Sequence, residues 1–117
     1  MGRPSFDALQ EQALHAAALL KTLSNESRLL VLCHLAADDE LAVGDLNARI
    51  GLSQSALSQH LAKLREEGLV ATRKEAQTVY YRICDPRAQQ MLALLHDLFC
   101  REPEDRAGGN HAIGDSK

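Results

Sequence analysis

Residues Val43 to Gly68 read Val-Gly-Asp-Leu-Asn-Ala-Arg-Ile-Gly-Leu-Ser-Gln-Ser-Ala-Leu-Ser-Gln-His-Leu-Ala-Lys-Leu-Arg-Glu-Glu-Gly, and their pattern decides the fold. The spacing predicts a short helix over Val43 to Ile50, ended by Gly51, which suits a left-handed cap. Ser53 is placed to cap a second helix over Gln54 to Glu67, stopped by Gly68. Two short amphipathic helices joined by a tight turn containing glycine make a helix-turn-helix. At about 100° per residue, Leu57, Leu61 and Leu64 share one face of the second helix and must bury. The opposite face carries Ser55, Ser58, Gln59 and Ala62, with Gln54 close by. A plain surface helix displays Lys and Glu, whereas these short and amide side chains can hydrogen-bond base edges and allow close approach to the groove. They lie toward the N-terminal end, the part of a recognition helix that touches bases. Lys63 completes the expected contact set on this helix. His60 sits at the edge of the apolar face, where it is either a phosphate contact or a boundary residue.

Working outward, Leu69 to Lys74 and Thr78 to Cys84 read as two strands, the second (TVYYRI) being β-branched and aromatic. Glu75-Ala76-Gln77 is the expected tip. Arg73 and Lys74 before the tip and Gln77 after it form a wing able to reach phosphate or a minor groove. Asp85-Pro86 starts a last helix that runs to about Cys100, with Asp as cap and Pro at the first helical position. Upstream, Asp7 to Leu23 is predicted helical. A second helix, Glu26 to Ala37, is apolar on nearly every side after Arg28, which predicts a core position. Leu41 to Val43 is a possible short extended segment.

The expected architecture is therefore mainly α with a small β-hairpin wing: a winged helix-turn-helix with five helices. The domain is expected over residues 7–101, between disordered segments 1–6 and 102–117. No glycine-rich phosphate loop and no set of strands for a large sheet is present.

The 117 residues suit one core. The N-terminus lacks the apolar stretch of a secretory signal, and no apolar run spans a bilayer, so a cytoplasmic protein without membrane association is expected. The three cysteines are then reduced at rest unless they have redox or metal work. Net charge is −3, but Arg49 to Arg82 holds six Lys/Arg against three acids and so carries +3. A phosphate backbone responds to that local field rather than to the total.

These pieces resemble the ArsR family of bacterial winged-helix repressors. The matching blocks are LLKTLSNESRLLVLCHL, ELAVGDLNARIGLSQSALSQHLAKLREEGLV and the wing ending VYYRI, and SQSALSQHLAKLREEGLV is the most specific. The resemblance implies a homodimer through the first and last helices, bound to two-fold symmetric, double-stranded operator DNA and released by an inducer. It implies no enzyme activity and no cofactor.

Metal sensors of that family often carry a cysteine pair in a segment like ELCVCDL. Here Ala42 and Gly44 stand at those places. The zinc pattern at the two ends of the last helix is also broken, since Arg87 follows Asp85 and the far-end His pattern is missing. Cys33 and Cys100 instead match the two thiols of the persulfide- and redox-sensing branch (SqrR-, BigR- and HlyU-like proteins). The resemblance thus implies a repressor that senses reactive sulfur species or oxidants through Cys33 and Cys100.

On residue chemistry alone, Cys33 also reads as a small core hydrophobe, since free cysteine is among the most buried residue types. Cys100 lies off the apolar stripe of Ala88, Met91, Leu92, Leu95, Leu98 and Phe99, beside His96 one turn earlier. A protonated His96 favours the thiolate, and the helix C-terminus opposes it. Cys84 closes the second strand and reads as structural. A metal-responsive repressor using Cys33, His96 and Cys100 is the alternative, because His96 and Cys100 are one turn apart on one helix face. A thiol enzyme lacks an orienting Asn/Asp, an oxyanion loop and a Cys-x-x-Cys pair.

Overall fold

The computed structural model describes residues 5–100. The disorder expected at residues 1–4 and 102–117 lies outside the described residues. Five helices and three short strands follow in the order α1 (Phe6–Leu23), α2 (Glu26–Asp38), β1 (Leu41–Ala42), α3 (Val43–Ile50), α4 (Gln54–Glu66), β2 (Val70–Glu75), β3 (Thr78–Ile83) and α5 (Pro86–Phe99). This is a winged helix-turn-helix.

Side-chain caps set most helix starts. Ser5, Asn25, Ser53 and Asp85 each accept a hydrogen bond from a first-turn backbone N–H, at Ala8, Arg28, Ala56 and Arg87 respectively. Such caps satisfy amide groups that have no intrahelical acceptor. Ser5 starts α1 at Phe6, one residue before the expected boundary. Gly51 ends α3 at φ +79°, and Gly68 follows α4 at φ +77°. The N–H groups of Gly68 and Leu69 return to the carbonyls of Arg65 and Leu64, the hydrogen-bond pair of a Schellman cap.

The core is almost wholly aliphatic. Val31, Leu32 and Leu35 of α2 meet Leu46 of α3, Leu57, Leu61 and Leu64 of α4, Leu69, Val70 and Ile83 of the hairpin, and Ala88 and Leu92 of α5. The period of the leucines in α4 thus buries the face expected from sequence.

Four expectations change. The wing is not a lone hairpin: Leu41 and Ala42 pair with Tyr81 and Tyr80, giving a three-stranded antiparallel sheet in the order β1-β3-β2. The hairpin tip is the two residues Ala76-Gln77, with Ala76 at φ +55°. Helix α2, expected to be surrounded by core, buries only one face, and Leu30 and Cys33 on it are exposed. An apolar run contains more hydrophobic faces than one chain covers here. The same holds on α5, where Leu98 and Phe99, expected within the buried stripe, are exposed together with Leu94.

Candidate DNA interface and thiol pair

Helix α4 presents Gln54, Ser55, Ser58, Gln59, Ala62 and Lys63 to solvent along the side opposite its buried leucines. His60 is half-buried at the boundary between the two faces. Lys63 forms an (i, i+4) ion pair with Glu67 at 3.3 Å. A pair this exposed is weak and open to exchange for a phosphate. Arg65 lines a shallow groove with Ser58, Ala62 and Tyr81. Its spacing from Ser58 and Ala62 places it on the same side, a periodicity that could have flagged it in the sequence.

The wing residues divide. Lys74 and Gln77 are exposed, and Lys74 has no ion pair among the described residues. Arg73, expected beside them as a DNA contact, is already engaged. Its Nε and Nη2 donate to the two carboxylate oxygens of Glu40 at 2.8 and 2.9 Å, and its Nη1 donates to Glu75 Oε1 at 2.8 Å. The guanidinium also stacks 4.4 Å over the Tyr80 ring centroid. The Arg73 hydrogen bonds hold the Glu40 carboxyl below its ordinary pKa, against a smaller effect of burial. Glu40 escapes the sequence reading, because partners that far apart in the chain leave no periodic mark.

Helices α2 and α5 pack against each other, and Cys33 on α2 lies within the electrostatic influence of Cys100 at the C-cap of α5. Both residues are exposed, yet the Cys33 thiol is pushed above its ordinary pKa, first by desolvation and second by the charge of Cys100. Surface exposure and loss of hydration coexist where a thiol sits beside another element but keeps one open side. The Cys100 backbone N–H donates to the His96 carbonyl at 2.8 Å. Cys84 lies apart, its thiol donating to the Gly68 carbonyl at 3.5 Å and its N–H to the Leu69 carbonyl, which fits a structural place at the end of β3.

Among the described residues no three His, Cys, Asp or Glu side chains group as metal ligands, so Cys33, His96 and Cys100 do not assemble such a set. Asp85 is occupied as the α5 cap and by the Arg87 side chain. Among the described residues no helix is long and apolar enough to cross a membrane.

Residues 25–72 match the model of the bacterial regulatory proteins of the arsR family. The chain is 53% identical over 97 residues to the transcriptional activator HlyU of Vibrio cholerae, covering 83% of this chain and 89% of that one. The chain belongs to the ArsR family. It is 38% identical over 105 residues to the biofilm growth-associated repressor of Agrobacterium fabrum, covering 90% of this chain and 89% of the relative. The solved structure of reduced HlyU from Vibrio cholerae superposes with a TM-score of 0.78 at 51% identity, over 82% of this chain and all of that one. The repressor BigR from Xylella fastidiosa superposes with a TM-score of 0.74 at 37% identity, over 85% of this chain and all of that one. This ArsR-family chain is thus a DNA-binding transcriptional regulator and not an enzyme.

Proposed function

We propose that this regulator works in the cytoplasm as a homodimer on a two-fold symmetric operator, and that reactive sulfur species or oxidants release it from DNA by linking Cys33 to Cys100. What supports the reading is the packing of α2 on α5, which puts Cys33 within the electrostatic influence of Cys100. Repression is the default reading, with activation at some promoters open to a protein that resembles both a named activator and a named repressor.

The dimer reading rests on the apolar surface. Phe6, Leu9, Leu14 and Leu20 of α1 and Leu94, Leu98 and Phe99 of α5 are all exposed in the single chain. Large apolar side chains left in water on two helices favour an interface, and the family resemblance supports a second copy as its occupant. Pairing sets two α4 helices about 34 Å apart, one turn of DNA. Gln54, Ser55, Ser58 and Gln59 then read base edges, while Lys63, Lys74 and Gln77 meet the backbone and His60 supports the helix edge.

The chemistry is thiol exchange. A cysteine thiolate attacks the outer sulfur of a persulfide, the carrier thiolate leaves, and a protein persulfide forms. The second thiol attacks that persulfide and expels hydrogen sulfide, closing a disulfide. When both cysteines carry added sulfur, a further persulfide takes up the two electrons, releasing its thiol and hydrogen sulfide, and a longer bridge closes. A direct disulfide needs Cα atoms within about 7 Å, so inserted sulfur widens the reach and offers selection of persulfide over peroxide. Since α5 belongs to the dimer face, the bridge alters the spacing of the reading heads. A coupling of about 1–3 kcal/mol is enough to change occupancy.

The test follows binding of the dimer to a labelled duplex that the reduced protein selects from a random-sequence pool. Cys33→Ser and Cys100→Ser bind like the parent but do not release on addition of glutathione persulfide. Release by either variant contradicts the reading.

A further inference from the structure

Arg73 is held on three sides by its own chain: by Glu40, by Glu75 and by the Tyr80 ring. Its fork meets both oxygens of Glu40 edge-on, a geometry that fixes orientation as well as distance. Arg73 lies on β2 opposite Tyr80 of β3, and Tyr80 in turn lies opposite Ala42 of β1. The Arg73 side chain therefore crosses the whole sheet, over the Tyr80 ring, to reach the residue that precedes β1. Because β1 is only two residues long, few ladder bonds hold the wing to the body, and this bridge adds to them.

The far anchor is itself held. Glu40 donates its backbone N–H to the Asp38 carbonyl at 2.6 Å across Asp39, which sits at φ +68° and ψ −45°. A positive φ at a non-glycine residue persists where the surroundings over-determine it. Asp38 also pairs with Arg49 of α3. The acids at the end of α2 thus tie down the first helix of the helix-turn-helix through Arg49 and the wing through Arg73. Lys74, next along β2, points to the other face of the strand and keeps its charge unpaired among the described residues.

We propose that Arg73 is a positioning residue: with Glu40, Glu75 and Tyr80 it clamps the wing to the α2–α3 junction and sets the wing's reach on operator DNA, leaving phosphate contact to Lys74. The proposal rests on DNA binding by the winged fold and is independent of the thiol reading.

The experiment measures affinity of the full-length reduced protein for the labelled, pool-selected duplex across a salt series, with amide hydrogen exchange of residues 70–83 in the free protein. Arg73→Gln and Glu40→Gln each weaken binding by roughly threefold to fivefold, the scale of an exposed ion pair. The double variant is no weaker than the weaker single one. Neither change alters the slope of log affinity against log salt, and both speed exchange in the wing. Lys74→Gln makes that slope shallower by about 2 for the dimer, about 1 for the phosphate neutralised by each wing, and leaves exchange unchanged. Weakening by Glu40→Gln is the informative sign, because removing a negative charge beside DNA otherwise tightens binding. Tighter binding by Glu40→Gln, a shallower slope for Arg73→Gln, or no change in affinity and exchange for either variant overturns the proposal. Thermal melts of each variant confirm that it is folded.

Discussion

Cys33, midway along α2, and Cys100, at the end of α5, lie near enough that the charge of Cys100 raises the pKa of Cys33, second only to the effect of desolvation. A raised thiol pKa means a small thiolate fraction at neutral pH and a slow first attack from Cys33. Alkylation of Cys33, followed by peptide mass spectrometry across pH, is expected to show a midpoint above the ordinary thiol value of about 8.5. Cys100→Ser lowers that midpoint without returning it to the ordinary value, since desolvation is the larger cause. A midpoint at or below the ordinary value in the parent contradicts this reading of the pair.

Asp85 supplies an acid-side test of the fold. Its carboxyl accepts hydrogen bonds from the Arg87 side chain, the largest cause of its lowered pKa, and from the Arg87 backbone N–H. The folded pKa is below the unfolded one. The contribution is therefore complete above the unfolded value of about 4 and is lost as pH falls through the folded value. Asp85→Ala is expected to lose about 1 kcal/mol near neutral pH, the usual effect of removing a cap. Its stability then falls less steeply in acid than the parent's, as read by urea unfolding at a series of pH values.

Asn47 on α3 has a buried side-chain carbonyl oxygen without a hydrogen-bond partner among the described residues. An unmatched buried polar atom costs about 1–3 kcal/mol, and alanine is also the better helix former. Asn47→Ala is expected to raise the melting temperature by several degrees, with DNA affinity unchanged. A lower melting temperature means that the amide makes a contact in the working protein.

The exposed apolar faces of α1 and α5 give an assembly test. Leu14 is 67% exposed and Leu98 59% exposed in the single chain. Leu14→Glu and Leu98→Glu each place a charge in the proposed dimer face, so sedimentation is expected to show a shift from dimer to monomer and operator affinity to drop more than tenfold. Dimers that persist in both variants place the interface elsewhere.

Much of the fold is legible in the sequence because local signals agree with one another. Gly51 and Ser53 bracket the turn, the leucine period in α4 marks its buried face, and Asp85-Pro86 marks the start of α5. The exposed polar side of α4 follows from the same period. What stays hidden is non-local. Nothing near Leu41 announces a partner across the sheet at Tyr81, and nothing near Arg73 announces Glu40. The apolar surplus on α2 and α5 reads as core, because hydrophobicity records that a face is covered and not which chain covers it. The pairing of Cys33 with Cys100 is implied by family resemblance alone, and no spacing rule joins residues on the second and last helices.

The most direct measurement of the central claim is intact and peptide mass spectrometry of the reduced protein after separate exposure to glutathione persulfide, peroxide and zinc, with operator binding followed in the same samples. A Cys33–Cys100 link carrying added sulfur is predicted after persulfide, formed together with loss of DNA binding, while Cys84 stays unmodified. Unchanged thiols after persulfide and peroxide, with DNA released by zinc alone, would contradict the claim.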